Sequence, residues 1–576
     1  MYKLRRFLKS YLFQLIVGPA CKLTEAVLEL MIPLITADII DNGVKNGDID
    51  YVIRKGCLMI LMGALGLCFA LVCQKTASIA SQGFGTQLRN AMFRHINSLS
   101  HAELDRIGTP SLITRMTNDI NQLQLAVAML IRLVIRAPIL VVGAVIMAMM
   151  IDLKLSLIFF ISSPLIAVVL YIVMHRSVPY FKVMQGKLDK VSLISRENLS
   201  GNRVIRAFDK QSSEQERFDE SNRQVAETAV RVGRISALLN PLTYIIAQGA
   251  VIAIVWFGAC SVNVGGLQTG EIVALVNYMT QILLTMIVVS NLVVIFTKAA
   301  ASAARVNEVF DTKPSVTEKT SDDIPTDKSA PAVEFRNVSF GYQNNGYALR
   351  NISFKAERGT TVGIIGGTGS GKSTLVNLIP RFYDTNEGSV YIDGSDVRDY
   401  PFEQLRKNMG IVPQKAELFG GTIRDNMMWA KSDASEEEII RALKISQAYE
   451  FVSKLPEGME RQVSAGGKNL SGGQRQRLTI ARALVGEPEI LILDDSASAL
   501  DFATDAALRK ALREETEGMT ILMVSQRVGT VRYADKILVL DNGELVGEGR
   551  HSELIKNCPV YKEICLSQLD PEEVEN

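Results

Sequence analysis

The chain has 576 residues, an apolar share of 48% and a net charge of +1 at pH 7. This length indicates several domains, and the near-neutral charge gives no support for a nucleic-acid partner. The seven cysteines are scattered without a C-x-x-C pair, which argues against a disulfide framework and a zinc site. Lys3, Arg5, Arg6 and Lys9 precede a long apolar segment without a cleavage-type site, so no signal peptide is expected.

The first half of the chain contains six segments that we expect to cross a membrane. Four are uncharged and close to or above the roughly 20 residues that a helix needs to span a bilayer. They are Gly56 to Gln74, Leu155 to Met174, Ile235 to Cys260 and Ile272 to Thr297. The two others carry charges. They are about Tyr11 to Ala37, with Lys22, Glu25 and Glu29, and Ala137 to Ile151, extended back through Arg136 and Arg132.

Positive charge gathers in two long connections between these spans, at about residues 75–131 and 175–234, and is sparse in the short connections. The positive-inside rule therefore places both long loops and both termini in the cytoplasm. A structureless loop of this length is uncommon. We expect the helices to continue into the cytosol and to turn at tips near Leu104 to Pro110 and Asn198 to Phe208.

The charges within the spans need an explanation. Lys22, Glu25 and Glu29 share one helix face, and so do Arg132 and Arg136. Each charge costs about 2.5–3.5 kcal/mol at the bilayer centre, so we expect these side chains to face protein or a water-filled cavity. Two interpretations stay open: a polar substrate pathway, or a structural acid–base cluster between helices or near the membrane interface.

After a transmembrane domain over residues 1–310, residues 311–331 carry three prolines and no apolar period, which is typical of a linker. A second domain is expected over residues 332–576. It begins with an alternating strand pattern at Val333 to Phe340, followed by Tyr342 and a turn at Asn344 to Gly346.

Nine residues, Gly366 to Thr374, fit the phosphate-loop pattern G-x-x-x-x-G-K-[ST]. The apolar run Thr361 to Ile365 before them predicts a strand, and a helix is expected to follow. In such a loop the backbone N–H groups hold phosphates, Lys372 reaches the β- and γ-phosphates and Ser373 binds Mg²⁺. The residues expected to bind the nucleotide are Gly366, Thr368, Gly369, Ser370, Gly371, Lys372, Ser373 and Thr374.

Four further segments follow in an order that fits a nucleotide site. Met409 to Gln414 predicts a short strand ending in glutamine, and Leu470 to Arg477 predicts a turn and a helix start, where Ser471 and backbone amides offer a second anion site. Ile490 to Asp494 predicts a strand that delivers Asp494 to its carboxyl end, where Mg²⁺ is expected. The strand Thr520 to Ser525 is followed by Gln526.

On these motifs the chain resembles the ATP-binding cassette (ABC) exporters, specifically multidrug-exporter-like half-transporters with six spans and one nucleotide-binding domain. The resemblance covers essentially the whole chain, and its most specific element is LSGGQ at Leu470 to Gln474. It implies a six-span α-helical transmembrane domain with long cytosolic extensions, fused to an α/β P-loop ATPase domain. The cytosolic tips resemble the coupling helices of the family.

The resemblance also implies a dimer in which each ATP lies between one chain's phosphate loop and the other chain's LSGGQ segment. Tyr342 would stack on adenine, and Gln414 would sense the γ-phosphate and Mg²⁺. Ser498 to Asp501 would form the loop that crosses the dimer. The site residues expected on this basis are Tyr342, Gln414, Ser471, Gly472, Gly473, Gln474 and Asp501, with Ser373, Gln414 and Asp494 as metal ligands.

The chain departs from the family at three positions. The family has glutamate directly after the Mg²⁺ aspartate and histidine after the next strand, where this chain has Asp495 and Gln526. Aspartate is one methylene shorter, and glutamine carries no titratable proton. Loss of general-base help costs roughly 10²–10⁴-fold, so we expect tight binding and slow turnover. Ala465 replaces a usual acid, which puts one coupling contact in doubt.

An intact LSGGQ beside weak hydrolytic residues predicts one subunit of a heterodimeric exporter with a different second subunit, exporting amphipathic small molecules, drugs or lipids. The alternatives are a homodimeric flippase with slow hydrolysis and an ATP-gated channel or regulatory subunit. An importer and a soluble nucleic-acid ATPase fit the fused spans poorly. ATP and Mg²⁺ are the expected cofactors. The expected location is the cell membrane, of bacterial inner or plasma type, with the ATPase domain in the cytoplasm.

Overall fold

Residues 2–318, 324, 327–342 and 346–569 are described by a computed structural model. Residues 319–323 and 325–326 of the predicted linker, and Asn344 and Asn345 of the predicted turn, lie outside these ranges. The chain divides into two compact units. The helical unit contains the residues up to Asn97 and Thr109–Thr312, and the α/β unit contains Ser98–Gly108 and the residues from Lys313 onward. The domain boundaries drawn at residues 310 and 331 stay predictions.

The helical unit is built of helices in its described part, and one further helix, α3 (His101–Ile107), belongs to the α/β unit. The helices of the helical unit are α1 (Leu12–Asp38), α2 (Ile49–Asn97), α4 (Thr109–Thr114), α5 (Ile120–Met129), α6 (Arg136–Ile151), α7 (Leu153–Ala207), α8 (Gln211–Ala237), α9 (Leu239–Asn263) and α10 (Thr269–Asp311). A 3₁₀ helix precedes α1 at Tyr2–Tyr11. Wider π-helical turns lie at Ile39–Val44, Arg115–Asp119 and Leu130–Val134.

Five helical stretches are long and apolar enough to cross a membrane, by length and composition. They are Ile49–Asn97, Thr109–Ile151, Leu153–Ala207, Gln211–Asn263 and Thr269–Asp311. Each contains one of the predicted spans. The remaining predicted span carries three charges and falls on α1, which is not among the five. The count of six spans therefore stays a prediction.

Buried polar contacts fix α1 and the segment after it against α10. The hydroxyl of Tyr278, which is fully buried, donates to the carbonyl of Leu30 over 2.6 Å. The backbone N–H of Gly270, at the start of α10, donates to the buried carboxylate of Asp41 over 2.8 Å. Because an unpaired polar group in an apolar interior is costly, these bonds define how the two helices pair.

The second tip, which the sequence predicts to be cytosolic, is shorter than predicted. The prediction set a turn over Asn198 to Phe208, but α7 stays helical to Ala207 and the chain reverses over only three residues before α8. Contacts between α7 and α8 explain this extension: Asn198 donates to Glu214 over 2.8 Å, and Arg217 pairs with Glu197 at 3.0 Å. The first tip also differs, because α3 occupies much of the region predicted as a turn.

The α/β unit contains two main sheets and a small third one in its described part. Its strands are β1 (Val333–Phe340), β2 (Leu349–Ala356), β3 (Thr361–Gly366), β4 (Glu387–Ile392), β5 (Ser395–Asp396), β6 (Met409–Val412), β7 (Gly421–Thr422), β8 (Gln462–Val463), β9 (Ile490–Asp494), β10 (Thr520–Val524), β11 (Lys536–Asp541) and β12 (Glu544–Gly549). An antiparallel sheet has the order β2-β1-β4-β5, and β7 pairs with β8.

The larger sheet has the order β12-β11-β3-β10-β9-β6 and is parallel except for β12. Its central strands β9 and β10 are buried along their whole length, as expected for a parallel sheet covered on both faces. The carboxyl ends of β3, β9 and β10 meet at one edge, which is where open α/β sheets bind ligands.

Short helices surround these sheets. They are α11 (Lys372–Leu378), α12 (Phe402–Lys407), α13 (Ile423–Met427), α14 (Glu436–Ile445), α15 (Tyr449–Ser453), α16 (Gly472–Leu484), α17 (Phe502–Glu515), α18 (Val528–Val531), α19 (His551–Asn557) and α20 (Pro559–Leu566). The strands predicted at the phosphate loop, before Asp494 and before Gln526 are all confirmed, and each leads to its expected residue at the carboxyl edge of the sheet.

Candidate nucleotide and substrate sites

The phosphate-loop sequence forms a tight loop between β3 and α11. Gly371 has a φ of +97°, and a Cβ atom on it would lie 2.8 Å from the carbonyl oxygen of Ala348, so glycine is required there. The Nζ atom of Lys372 donates to the carbonyls of Gly366 and Gly367 over 2.9 and 2.6 Å. Burial lowers the pKa of the Lys372 side chain. The negative charges of Asp495 and Asp494 partly offset this fall. The loop thus holds the ammonium group of Lys372 against two of its own backbone carbonyls.

Ser373 and Asp494 lie together as the metal prediction requires. The hydroxyl of Ser373 donates to Oδ1 of Asp494 over 3.0 Å. Burial raises the pKa of Asp494, and the bond from Ser373 partly offsets this rise. A serine hydroxyl beside a carboxylate offers the oxygen ligands that Mg²⁺ prefers, and a divalent cation would offset the cost of a buried carboxylate. The residues present therefore fit the metal that the sequence predicts.

Asp495 follows at the edge of the sheet and adopts a left-handed conformation, with a φ of +47°. Its backbone N–H donates to the carbonyl of Val524 over 3.0 Å, which ties the ends of β9 and β10 together. Its carboxylate oxygen Oδ2 lies 3.4 Å from Nε2 of Gln414. The position predicted for the general base is therefore within reach of the glutamine expected to sense the γ-phosphate.

Gln526 lies beyond β10 with an exposed side chain. The segment that carries it is held by Gln568, near the end of the described chain. The side-chain amide of Gln568 donates to the carbonyl of Gln526 over 2.8 Å and accepts from the N–H of Val528 over 2.9 Å. Sequence reasoning missed Gln568, because nothing in its local pattern indicates a contact 42 residues away.

Tyr342 lies in an aromatic cluster. Its ring is edge-on to Phe340 and Tyr383, with centroid distances of 5.0 and 5.3 Å, and its hydroxyl is 3.3 Å from the hydroxyl of Thr374 in the phosphate loop. Tyr383 in turn donates to Asp105 of α3 over 2.8 Å. Phe340, Tyr342, Tyr383 and Asp105 line a cavity of about 450 Å³. The side chain predicted to stack on adenine is therefore linked through Tyr383 to α3, at the first predicted tip.

The LSGGQ segment forms the predicted turn at the start of α16. The Ser471 hydroxyl accepts from the N–H of Gln474 over 3.2 Å, and the Gln474 side chain accepts from the N–H of Ser471 over 2.9 Å, which makes a capping box. Ser471 and Gly472 are exposed, and Gly473 is half-buried. Within the described residues, no hydrogen bond or ion pair joins this segment to the phosphate loop of the same chain.

The loop of Ser498 to Asp501 packs beside LSGGQ: a Cβ atom on Gly473 would lie 3.3 Å from the carbonyl of Ala499. Arg527 donates to the carbonyl of Ser498 over 3.1 Å. Asp501 caps α17, and hydrogen bonds from Thr504 hold the pKa of its carboxyl below the usual range. Ala465 is exposed nearby on a short 3₁₀ turn.

The charges predicted within the spans form two ion pairs in the helical unit. Nζ of Lys22 lies 2.6 Å from Glu25, and Arg136 lies 2.6 Å from Glu29 on the neighbouring α1. A cavity of about 200 Å³ adjoins the second pair. Within the described residues, Arg132 has neither a hydrogen bond nor an ion pair. Both interpretations of the sequence thus find support: the pairs stabilise helix contacts, and one of them borders an internal space.

Comparison with known proteins agrees with this geometry. Residues 15–286 match the family described as ABC transporter transmembrane region, and residues 349–498 match the ABC transporter family. The uncharacterized ABC transporter ATP-binding protein YfiB of Bacillus subtilis (strain 168) is 38% identical over 573 residues, covering 99% of this chain and 99% of YfiB. An ATP-dependent lipid A-core flippase of Vibrio vulnificus (strain CMCP6) is 30% identical over 565 residues, covering 98% of this chain and 96% of the flippase.

A solved structure of a bacterial Atm1-family ABC exporter with ATP bound has the same fold, with a TM-score of 0.79 at 24% identity. The match covers 98% of this chain and 99% of that exporter. The motifs, the sheet edge that gathers them and the end-to-end match with relatives all agree. The chain therefore belongs to the ABC transporter family, as an exporter of the half-transporter type in which a helical transmembrane domain is fused to an ATP-binding domain.

Proposed function

We propose that this chain is one half of a heterodimeric exporter that uses ATP to move amphipathic small molecules, drugs or lipids across the membrane. Its own phosphate loop binds ATP and hydrolyses it slowly, and its LSGGQ segment completes a competent site on a different subunit. The observation that carries the proposal is the pair Asp495 and Gln526, which occupy the two hydrolytic positions.

The geometry around Asp495 supports slow hydrolysis. A general base must lie within hydrogen-bond reach of the proton that it removes. The carboxylate of Asp495 is one methylene shorter than glutamate, and its nearest side-chain partner is the amide of Gln414 at 3.4 Å. The exposed side chain of Gln526 can donate a hydrogen bond to a phosphate, but an amide cannot accept or release a proton as histidine does. The site thus keeps its binding groups, but its carboxylate base is shortened and the position after β10 has no titratable group.

The remaining residues have separate roles in this proposal. Lys372 binds the β- and γ-phosphates, Tyr342 stacks on adenine, and Ser373, Gln414 and Asp494 hold Mg²⁺, which neutralises charge on the phosphate oxygens when bound. Ser471, Gly472, Gly473 and Gln474 meet the partner's ATP through backbone N–H groups and the serine hydroxyl. The loop that ends at Asp501 passes between the two subunits. A loop beside LSGGQ, held by Arg527, is suited to that position.

Six spans and a cytoplasmic ATPase domain complete the proposal, with α1 as the sixth span. The ion pairs of Lys22 with Glu25 and of Arg136 with Glu29 support this assignment, because pairing lowers the cost of charge in a bilayer. Accessibility tags before residue 12 and after residue 46, on the two sides of α1, test the topology. We expect the first in the cytoplasm and the second outside the cell, whereas both on one side would contradict a span at α1.

The test of function is the ATPase rate of the purified chain with and without a second half-transporter subunit. We expect slow phosphate release alone and a large increase with the second subunit, because only the mixed pair contains a complete site. The matched control is Asp495→Asn. In the mixed pair it should leave the rate nearly unchanged, since the competent site uses the partner's base. A fast rate for the chain alone that Asp495→Asn abolishes would contradict the proposal.

A homodimeric lipid flippase with slow hydrolysis is the second candidate. Its support is the set of relatives named ATP-dependent lipid A-core flippase, which match nearly the whole chain. The two candidates differ in one measurement. A homodimeric flippase moves fluorescent lipid across proteoliposome membranes without a second subunit, whereas the heterodimer half does so only with it.

A further inference from the structure

A further cavity of the α/β unit lies away from the phosphate loop. Its volume is about 360 Å³, and its lining comes from α17, from β3 and β10, and from Thr530, Tyr533 and Ala534. Thr361 lines the cavity at the first residue of β3, whereas Gly366 of the phosphate loop is the last residue of that strand. At about 3.3 Å per residue, these two positions are roughly 16 Å apart. The cavity is therefore separate from the nucleotide site.

Part of the lining is apolar. Leu512, Ile521 and Met523 line the cavity and also belong to the hydrophobic core of this unit. Tyr533 lines it too, as a residue that is 56% exposed. An apolar wall with a few convergent polar groups is typical of a small-molecule site. The apolar part of a ligand therefore finds hydrocarbon contacts here.

The charged residues of the lining are mainly basic. Arg509, Lys510 and Arg513 are cations, and Glu514 is the only acid among the described residues that line the cavity. Lys510 lies 3.9 Å from Glu514. Arg509 lies 3.3 Å from the buried Asp505. Arg513 has no ion pair within the described chain, so one positive charge of the cavity is uncompensated.

Two guanidinium groups converge on Tyr533. Arg509 and Arg513 are one helical turn apart on the same face of α17. The guanidinium of Arg509 lies 5.6 Å from the ring centroid of Tyr533, and that of Arg513 donates to the carbonyl of Tyr533 over 3.1 Å. Arg509 makes no hydrogen bond in the described ranges, and its Nε is buried without one. Because unpaired donors are costly, these groups beside a cavity point to a ligand that accepts hydrogen bonds.

We propose that this cavity binds a small organic monocarboxylate. Its carboxylate pairs with Arg513 and Arg509, and its apolar group lies over Ile521 and Met523. The guanidinium fork fits because it matches a carboxylate with two parallel hydrogen bonds. A single uncompensated charge favours a monoanion over a phosphate group, which carries a charge near −2 at neutral pH.

The cavity lies between two segments that lead to the nucleotide site. α17 begins directly after Asp501, and α18, whose Thr530 lines the cavity, begins two residues after Gln526. Oγ1 of Thr530 lies 3.4 Å from Oδ2 of Asp505, so the two helices already meet beside the cavity. A bound carboxylate adds a second link between α17 and the chain after Gln526. The inference does not rest on the proposed function, because the cavity is separate from the ATP site.

Phenylpropionate is the probe, with acetate and phenylpropanamide as comparisons for the anion alone and for the uncharged apolar part. Binding of radiolabelled phenylpropionate is measured on the full chain in phosphatidylcholine nanodiscs with ATP present, and empty nanodiscs are subtracted. We expect saturable binding that neither comparison displaces at equal concentration. Arg513→Gln should weaken this binding by about tenfold or more, because charge-assisted hydrogen bonds are lost.

The matched control is Lys556→Gln, which removes one exposed cation from α19 and should leave phenylpropionate binding unchanged. ATP binding is measured on every variant as the test of folding. If Arg513→Gln loses ATP binding, Ala506→Leu decides instead, because it narrows the cavity without removing a charge and should weaken phenylpropionate binding. Unchanged binding in the deciding variant overturns the proposal, as does displacement by either comparison. Neither result depends on ATPase rates, so the proposed function is judged separately.

Discussion

Restoring the two hydrolytic residue types should make this chain a faster ATPase by itself. The change is Asp495→Glu together with Gln526→His. A carboxylate moved outward by one methylene gains roughly 1.5 Å, taking the length of one carbon–carbon bond. This exceeds the displacement of about 1 Å that costs on the order of 100-fold in rate. General-base catalysis contributes about 10²–10⁴-fold, or about 3–5 kcal/mol of activation free energy.

A conformational cost acts in the opposite direction. The backbone at Asp495 has a φ of +47°, a left-handed conformation that aspartate adopts more readily than glutamate. Left-handed geometry costs about 1–2 kcal/mol for an ordinary residue. This penalty is smaller than the catalytic gain, and it falls on the stability of the fold. We therefore expect the ATPase rate to rise at least about tenfold while the melting temperature falls slightly.

The assay is phosphate release by the purified double variant at saturating Mg²⁺ and ATP, without a second subunit. Adding Lys372→Ala to the double variant provides the background, because that change removes the phosphate-binding cation. The affinity for ATP is measured on each protein. An unchanged rate in a double variant that binds ATP normally would refute the argument, because the acid–base groups would then not be what limits turnover.

Three further predictions concern single contacts. Asp494→Asn should raise the melting temperature at pH 7 and not at pH 4. The pKa of the buried carboxyl is raised, so its charged form destabilises the fold only above that pKa. Thermal unfolding at both pH values tests this. Tyr383→Phe should lower the free energy of local unfolding of α3 by about 0.5–1.5 kcal/mol, because the hydrogen bond to Asp105 is lost. Amide hydrogen exchange over residues 101–107 should become faster, and the affinity for ATP should not change. Asp119→Ala should destabilise the helical unit by about 1.5–3 kcal/mol, because Arg305 loses its buried partner; a matched Asp219→Ala on the surface of α8 should not.

The strands around the nucleotide site could be predicted from sequence because each combines an apolar run with a motif that fixes its end. β1 and β9 begin and end at the predicted residues, and β3 and β10 differ by one residue at one end. A buried parallel strand is a continuous run of apolar residues, and the turn after it has its own local motif. Both signals can therefore be recognised from neighbouring residues in the sequence. The same local information placed Ser373 and Asp494 at one edge of one sheet.

Other features depend on partners far away in the chain and could not be predicted this way. The bond between Tyr383 and Asp105 joins residues 278 positions apart, and the grouping of α3 with the α/β unit depends on such contacts. The extra helical turns of α7 depend on pairing with α8. The hydrophobic period of a helix shows which of its faces is buried. It does not show which charged residue of another helix will contact that helix.

Gln568, just after the last described helix α20, braces the segment that carries Gln526. Two hydrogen bonds from one side-chain amide fasten the backbone on both sides of Arg527, and that arginine secures the loop between LSGGQ and Asp501. A protease cut or a fused tag that displaces α20 is expected to release these bonds and loosen the segment of Gln526 without touching the phosphate loop. We therefore expect changes in the region around Gln568 to shift the position of Gln526 from a distance of 42 residues along the chain.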